Sequence, residues 1–425
     1  MSAQPLVDEM LSSPSAAPAI GLVDQCPAAD DPESSIEIGT ELGVRRFSLY
    51  APTAAFALVE ELDFLTQRLI DQNVFFAPQF LIPAMPRLDE RQVRLMVVRD
   101  EGLRRSRLRF LMPYSTERAG LFGGPQVIRA WTHPFGPLGT PLVDADDPQE
   151  TLESLLATIG KPALGLPDVL VLPDLRIDEP FAQTILAAAK ALGLPLACVN
   201  GFDRAAFDKG NAETAASGLS AKRRRELQRQ RRMLEAKGPV SFEIARNPVA
   251  VRHAMEEFLV LEASGWKGRA RSALVMDRYR AAFARESVNG LAEKDRTRIF
   301  TLKVGGQPVA SLVAFVLGGE AFAWKMAYDE THAAASPGLQ MMLLATDALM
   351  ADRTVLRADS CAVPDHFLMN RLWKGRIRVE TLVVGLEKTA AGRVGRAAKG
   401  LEQVHAARNT ARLVRARVKR LLRLD

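Results

Sequence analysis

The sequence predicts an α/β (α+β) protein built as two tandem domains, each a mixed, mainly antiparallel sheet flanked by helices. Three observations lead there. Strand-like segments at 298–304, 309–317 and 320–328 are joined by Gly305-Gly306 and Gly318-Gly319, turn chemistry suited to hairpins. Helical patterns bracket this meander on both sides. The order of elements around it then recurs, more loosely, in the first half of the chain. The 425 residues suffice for two or three domains of about 150 each. A hydrophobic content of 48% with 25% charged residues is that of a globular chain with a sizeable core.

Residues 1–40 read as a disordered acidic tail. Ser, Ala and Pro abound, and Asp8, Glu9, Asp24, Asp30, Asp31, Glu33 and Glu37 all precede the first basic residue, Arg45. The first domain, 41–215, holds a strand at 46–51, a helix at 54–70 and strands at 93–99, 107–113 and 127–132. A helix at 149–158, a strand at 168–172, a helix at 180–192 and a strand at 195–199 follow. The second domain, 216–390, opens on a basic helix, 219–238, with Ser220 and Gly238 as caps. There Lys222, Arg223, Arg224, Arg225, Arg229, Arg231, Arg232 and Lys237 face only Glu226 and Glu235, and Leu227 and Leu234 form one thin apolar stripe.

A strand at 240–245 precedes Asn247-Pro248, an N-cap followed by Pro at the first helical position. That helix runs to about Ala263, and a second spans 272–290. After the meander come a helix at 339–350, a strand at 354–358, a short helix at 366–373 and a strand at 378–384. The order is β-α-α-β-β-β-α-β-α-β. The last segment, 391–425, is a basic helical tail in which Leu413, Val414, Val418, Leu421 and Leu422 lie among arginines. Such a tail suits either peripheral contact with a membrane surface or docking on the protein itself.

Several classes are not expected. No apolar run approaches the ~20 residues a spanning helix needs, and no basic stretch followed by an apolar core marks a secretory signal. Cys26, Cys198 and Cys361 are odd in number and unclustered, which argues against a disulfide framework or a structural zinc site and for a reducing cytoplasm. The basic helix lacks interleaved aromatics, so nucleic acid is not the expected partner; it reads as a solvated linker despite the net charge of +6.

The second half resembles the GNAT acyltransferases, and within them the acetyltransferase domain of cellulose-biosynthesis (CelD-like) proteins. These are distant relatives of the Fem-type peptidoglycan aminoacyl ligases, which also pair two GNAT-like halves. The stretches that carry the resemblance are Leu219–Arg225, Glu262–Gly268, Trp324–Glu330, Ser336-Pro337-Gly338, and Asp359-Ser360-Cys361-Ala362 with Asp365-His366 and Leu372-Trp373. It covers roughly residues 200–390 well and 45–200 weakly. It implies two GNAT-like halves, an acetyl-CoA or other acyl-CoA donor, no metal, and an amine or hydroxyl acceptor such as a small metabolite or glycan precursor. The CoA pyrophosphate would lie on Ser336, Pro337, Gly338, Leu339 and Gln340, which stand where the family has its phosphate turn.

The residues themselves agree with that placement. A strand, a Gly-containing turn and a helix N-terminus direct free N–H groups and the helix dipole at an anion. Ser336 would cap the helix, Pro337 would pre-set its first turn and Gly338 would admit a phosphate. The first half offers no such turn, since Gly136-Pro137-Leu138-Gly139 leads into a long polar loop; it would serve as scaffold or acceptor-side wall.

Acyl transfer from a thioester needs a base and donors for the oxyanion. The candidates are Asp359, His366 and Lys325. His366 titrates near neutrality and Asp359 or Asp365 would orient it; the competing reading makes His366 a helix cap and Asp359 a strand-end cap. Lys325 sits inside a strand, an uncommon place for lysine. Cys361 raises a covalent Cys/His route, with a small buried thiol as the plainer alternative. Two alternatives to acyl-CoA transfer remain: a tRNA-dependent aminoacyl ligase, and a non-catalytic module that binds anionic partners through its basic segments.

Overall fold

The computed structural model describes residues 31–40, 43–88, 93–102, 106–120, 123–210, 219–364 and 366–421. Cys26, Asp365 and most of the acidic tail lie outside these residues. The first half contains β1 (Ser34–Thr40), β2 (Gly43–Tyr50), α1 (Val59–Thr66), α2 (Pro78–Leu88), β3 (Arg94–Glu101), β4 (Ser106–Arg118) and β5 (Gln126–Ala130). It continues with β6 (Leu142–Val143), α3 (Pro148–Ile159), β7 (Val169–Arg176), α4 (Pro180–Ala191) and β8 (Leu196–Asp208). The second half begins with α5 (Ala221–Glu235), β9 (Val240–Ala245), α6 (Pro248–Ser264), α7 (Trp266–Arg269) and α8 (Arg278–Glu293). Then come β10 (Thr297–Val304), β11 (Gln307–Leu317), β12 (Glu320–Tyr328), α9 (Pro337–Ala351), β13 (Arg357–Asp359), α10 (Phe367–Leu372), β14 (Gly375–Gly385) and α11 (Ala391–Leu421).

The duplicated order is real and more complete than the sequence suggests. The helix missing from the first half is α2, whose Pro83 and Pro86 remove two backbone donors and hide its helical pattern. Its Phe80, Leu81, Ala84 and Met85 are buried, so packing overrides propensity. Part of the expected acidic tail is also ordered: Ser34–Thr40 pairs along β2 as an edge strand.

One continuous sheet runs through both halves, in the order β1-β2-β3-β4-β5-β7-β14-β8-β13-β12-β11-β10-β9, with β6 alongside β4. Two neighbouring pairs are parallel, β5 with β7 and β12 with β13; the rest are antiparallel. The halves exchange their last strands. β14 lies between β7 and β8, while the C-terminal end of β8 pairs with β13 through Ala206–Asp208. That exchange explains why β8 extends well past the expected 195–199: all its partners lie in the other half, β14 along Leu196–Ala206 and β13 at Ala206–Asp208.

The seam between halves is buried and ionic. Arg176 of β7 pairs with Glu320 of β12, both almost fully buried. Arg176 Nη2 also donates to Gln72 O (2.9 Å), and Arg357 bridges Glu320 (3.0 Å) and Glu179 (2.7 Å). A second, apolar junction packs Phe80 of the first half edge-on to Phe283, Phe315 and Trp324 of the second.

Candidate functional site

A parallel strand pair that separates leaves a groove between its strands. β12 and β13 pair only where Glu320–Phe322 meets Arg357–Asp359. Beyond Phe322 the strands diverge, and a cleft of about 460 Å³ opens in the split. Its walls are β12 from Ala323 to Tyr328, the segment Ser360–Val363 with His366, the α6–α7 junction with Glu262 and Lys267, and Pro134 from the first half.

A bulge shapes the β12 wall. Val313 faces Lys325 and Ala314 faces Ala323, so Trp324 is the extra residue left out of register. Its indole Nε1 donates to Phe135 O of the first half (2.8 Å). Lys325 then lies half-buried on the cleft, its Nζ 4.5 Å from the centroid of the Phe135 ring. Burial, with help from the neighbouring Lys267 and Arg280 cations and against the pull of Glu262, lowers the Lys325 amine to a pKa of about 8. Glu262 is not free to neutralise it. One carboxylate oxygen accepts from Lys267 Nζ (2.8 Å) and the other from Leu274 N (2.8 Å). Among the described residues Lys325 has no carboxylate partner.

His366 also lines the cleft, at the N-cap of α10. Its Nδ1 accepts from Met369 N (3.3 Å), so the neutral ring carries its proton on Nε2. Burial lowers its pKa, which favours that neutral form. The helix-cap role is thus met by one nitrogen, while the other, protonated in this form, offers a hydrogen-bond donor and not the base expected of it.

Asp359 is placed differently. It is fully buried behind the cleft wall, one oxygen accepting from Cys361 N (2.7 Å) and lying 3.4 Å from Arg204 Nε. It fixes the turn that carries Ser360 and Cys361 into the cleft, the strand-end capping role. Cys361 holds a left-handed backbone (φ 51°), and burial first, then the adjacent Asp359 charge, push its thiol pKa well up. A thiolate is therefore disfavoured there.

The Ser336–Gln340 turn follows Tyr328 after a short 3-10 helix, Glu330–Ala335. Ser336 adopts φ 49°, ψ 52°, and its side chain does not cap α9, contrary to expectation. Its Oγ instead accepts from Gln230 Nε2 of α5 (3.0 Å). Pro337 has no N–H, and the N–H groups of Leu339 and Gln340 both turn onto Ser336 O (3.1 and 3.2 Å). The N–H of Gly338 is left without a backbone acceptor among the described residues. Gln340 donates to Ala335 O (2.8 Å) and braces the turn from within. The turn does not itself line the cleft; Tyr328 joins the two, its ring against the position a Gly338 Cβ would occupy (3.5 Å).

The structure thus gathers Lys325 and His366 on one cleft, sets the Ser336–Gln340 turn next to it, and puts Asp359 behind it. Sequence reasoning missed Gln230, Pro134 and Phe135. Only Gln230 left a signal, as a neutral residue inside a run of arginines. Among the described residues no group of three or more His, Cys, Asp or Glu is placed to hold a metal ion, and no helix is long and apolar enough to cross a membrane.

Residues 221–367, about a third of the chain, match the family model for an acetyltransferase (GNAT) domain. No curated protein sequence matches the chain. Among solved structures, the C-terminal domain (DUF2156) of a putative lysylphosphatidylglycerol synthetase from Agrobacterium fabrum is similar, with 13% identity and a TM-score of 0.50 over 80% of this chain and 94% of that one. A crystal structure of FemX is similar at 10% identity and a TM-score of 0.52, over 76% and 95%. At such identities the likeness is one of fold.

Proposed function

We propose that this chain, whose residues 221–367 match the family model for an acetyltransferase (GNAT) domain, moves an acyl group from acyl-CoA to an amine or hydroxyl acceptor by direct attack. The observation that carries the reading is the cleft in the β12/β13 split, with the uncapped start of α9 one side chain away. The pyrophosphate lies on the backbone from Ser336 to Gln340, with Gly338 N–H and the α9 dipole as donors. The pantetheine arm then enters the cleft past Tyr328.

The acceptor approaches from the side of Pro134 and Phe135, which makes the first half the acceptor wall. Lys325 takes the acceptor proton. With a pKa of about 8, about a tenth of it is neutral at pH 7, enough for general-base work. As the nucleophile adds to the thioester carbonyl, His366 Nε2–H and backbone freed by the Trp324 bulge supply hydrogen bonds to the oxyanion. The carbon–sulfur bond then breaks and the thiolate leaves with CoA. Asp359 acts through the Cys361 turn as a positioning residue.

Isothermal titration of the full chain with acetyl-CoA and longer acyl-CoAs tests the reading; no binding of any of them overturns it. A donor carried on tRNA is the second reading, favoured by the basic helix α5. It requires tRNA binding that weakens steeply with salt and turnover without acyl-CoA.

A further inference from the structure

Helix α5 is not the solvated linker its composition suggests. Leu234 is buried in the same core as Ala335 and Met341, and Gln230 is 6% exposed. Gln230 Nε2 donates to Ser336 Oγ (3.0 Å) and reaches Ala334 O (3.4 Å), so the most basic helix of the chain is fastened to the residue that starts α9. The other end of that amide, Oε1, is buried and has no partner among the described residues. A buried acceptor without a donor is costly, and a ligand hydroxyl or N–H beside Ser336 would relieve it.

The charges on α5 are only partly spent. Arg229 pairs with Glu226 (2.7 Å) and Arg231 with Glu235 (3.0 Å). Arg223, Arg224 and Arg225 have no carboxylate partner among the described residues. Arg223 lies seven residues before Gln230, two helical turns on the same face and about 10 Å along the axis. Unlike Arg224 and Arg225 it is half-buried, as a residue on the docked face should be.

Resting on the acyl-CoA reading above, we propose that α5 is part of the donor site. Arg223, with Arg224 and Arg225 at the rim, binds a phosphomonoester of the donor beyond the pyrophosphate, so the site selects a donor with a third phosphate, such as the 3′-phosphate of CoA. Guanidinium groups suit this task because they meet phosphate oxygens in pairs. The free Gln230 Oε1 would take a hydroxyl or N–H from the part of the donor between its phosphates.

The test is isothermal titration of the full chain with acetyl-CoA and with 3′-dephospho-acetyl-CoA. Acetyl-CoA should bind about tenfold or more tightly. In Arg223→Ala that gap should narrow to about twofold through loss of acetyl-CoA affinity alone, and Arg223→Lys should keep part of it. Arginine and alanine are both good helix formers, and a thermal melt confirms that α5 still docks. Equal affinities in the unaltered protein overturn the inference and leave the acyl-CoA reading standing. So does a full gap in the Arg223→Ala/Arg224→Ala/Arg225→Ala variant. Failure of both ligands to bind overturns the acyl-CoA reading, and this inference with it.

Discussion

Two turns occupy matching places in the two halves, Asp147-Pro148-Gln149 ahead of α3 and Ser336-Pro337-Gly338 ahead of α9. Each follows the first strand of a parallel pair. Their backbones agree closely: Asp147 has φ 52°, ψ 48° and Ser336 φ 49°, ψ 52°, with Pro at the first helical position in both. The sequence-based expectation that the first half lacks such a turn is therefore corrected. What differs is chemistry. The first turn is crowded by Asp144, Asp146 and Glu150, held by Arg107, Arg109 and Arg45. Carboxylates at a helix start already answer the dipole and would repel a phosphate. The second turn has no acid from Ser336 to Gln340, a glycine where the first has Gln149, and a basic helix beside it. The two turns share a backbone; charge and side-chain size set them apart, and in the proposed function only the second takes an anion.

The largest expected effect concerns the chemistry proposed for the second half. Lys325→Met should lower turnover about 10²- to 10⁴-fold while acetyl-CoA affinity, read by titration calorimetry, stays nearly unchanged. The pH dependence has a definite sign. In the proposed mechanism the working form of Lys325 is the neutral amine, so the rate should climb as pH rises through about 8 and then level off. In the variant that rise should vanish. A rise that persists would place the base elsewhere.

Next is the cradle. Gly338→Trp drives an indole into the space before Tyr328 and should weaken acetyl-CoA binding about a hundredfold or more. The matched change in the first half, Gln149→Trp, should leave binding within about twofold. Equal losses would mean that both turns take part, and the charge argument would fall.

How much of this was legible follows from where the partners lie. The 297–328 meander was readable because its turns are local Gly-Gly pairs, and α9 because Ser-Pro-Gly marks a helix start. The full length of β8 was not, since the strand is completed by β13 and β14 of the other half. Asp359 looked catalytic because its partner Arg204 is distant in sequence. Ser336 looked like a cap because nothing local reveals that Gln230 claims its hydroxyl. Local chemistry was readable; contacts between residues distant in sequence, across the seam or within one half, were not.

That seam is the third point of attack. Glu320→Gln leaves Arg176 buried without its full counter-charge and should cost about 3 kcal/mol of stability, read by urea denaturation. Because the sheet is continuous, loss should come as one shifted transition. Two separate transitions would show that the halves are stable apart, and the two turns would then have to be compared as parts of independent domains.

The smallest effect is the most discriminating. A left-handed non-glycine residue costs roughly 1–2 kcal/mol relative to glycine, part of which glycine returns through its looser unfolded chain. Asp147 makes no side-chain cap bond, so Asp147→Gly should raise stability by about 1 kcal/mol. Ser336→Gly relieves the same strain but removes the hydroxyl that receives Gln230, leaving the amide only the longer contact to Ala334 O (3.4 Å). The gain and the loss, each about 1 kcal/mol, should nearly cancel. Urea midpoints of the two variants, compared at unchanged slope, give the difference directly. If both variants gain equally, the Gln230–Ser336 bond contributes nothing, α5 is merely adjacent to the cradle, and its arginines lose the anchor that fixes them beside the donor.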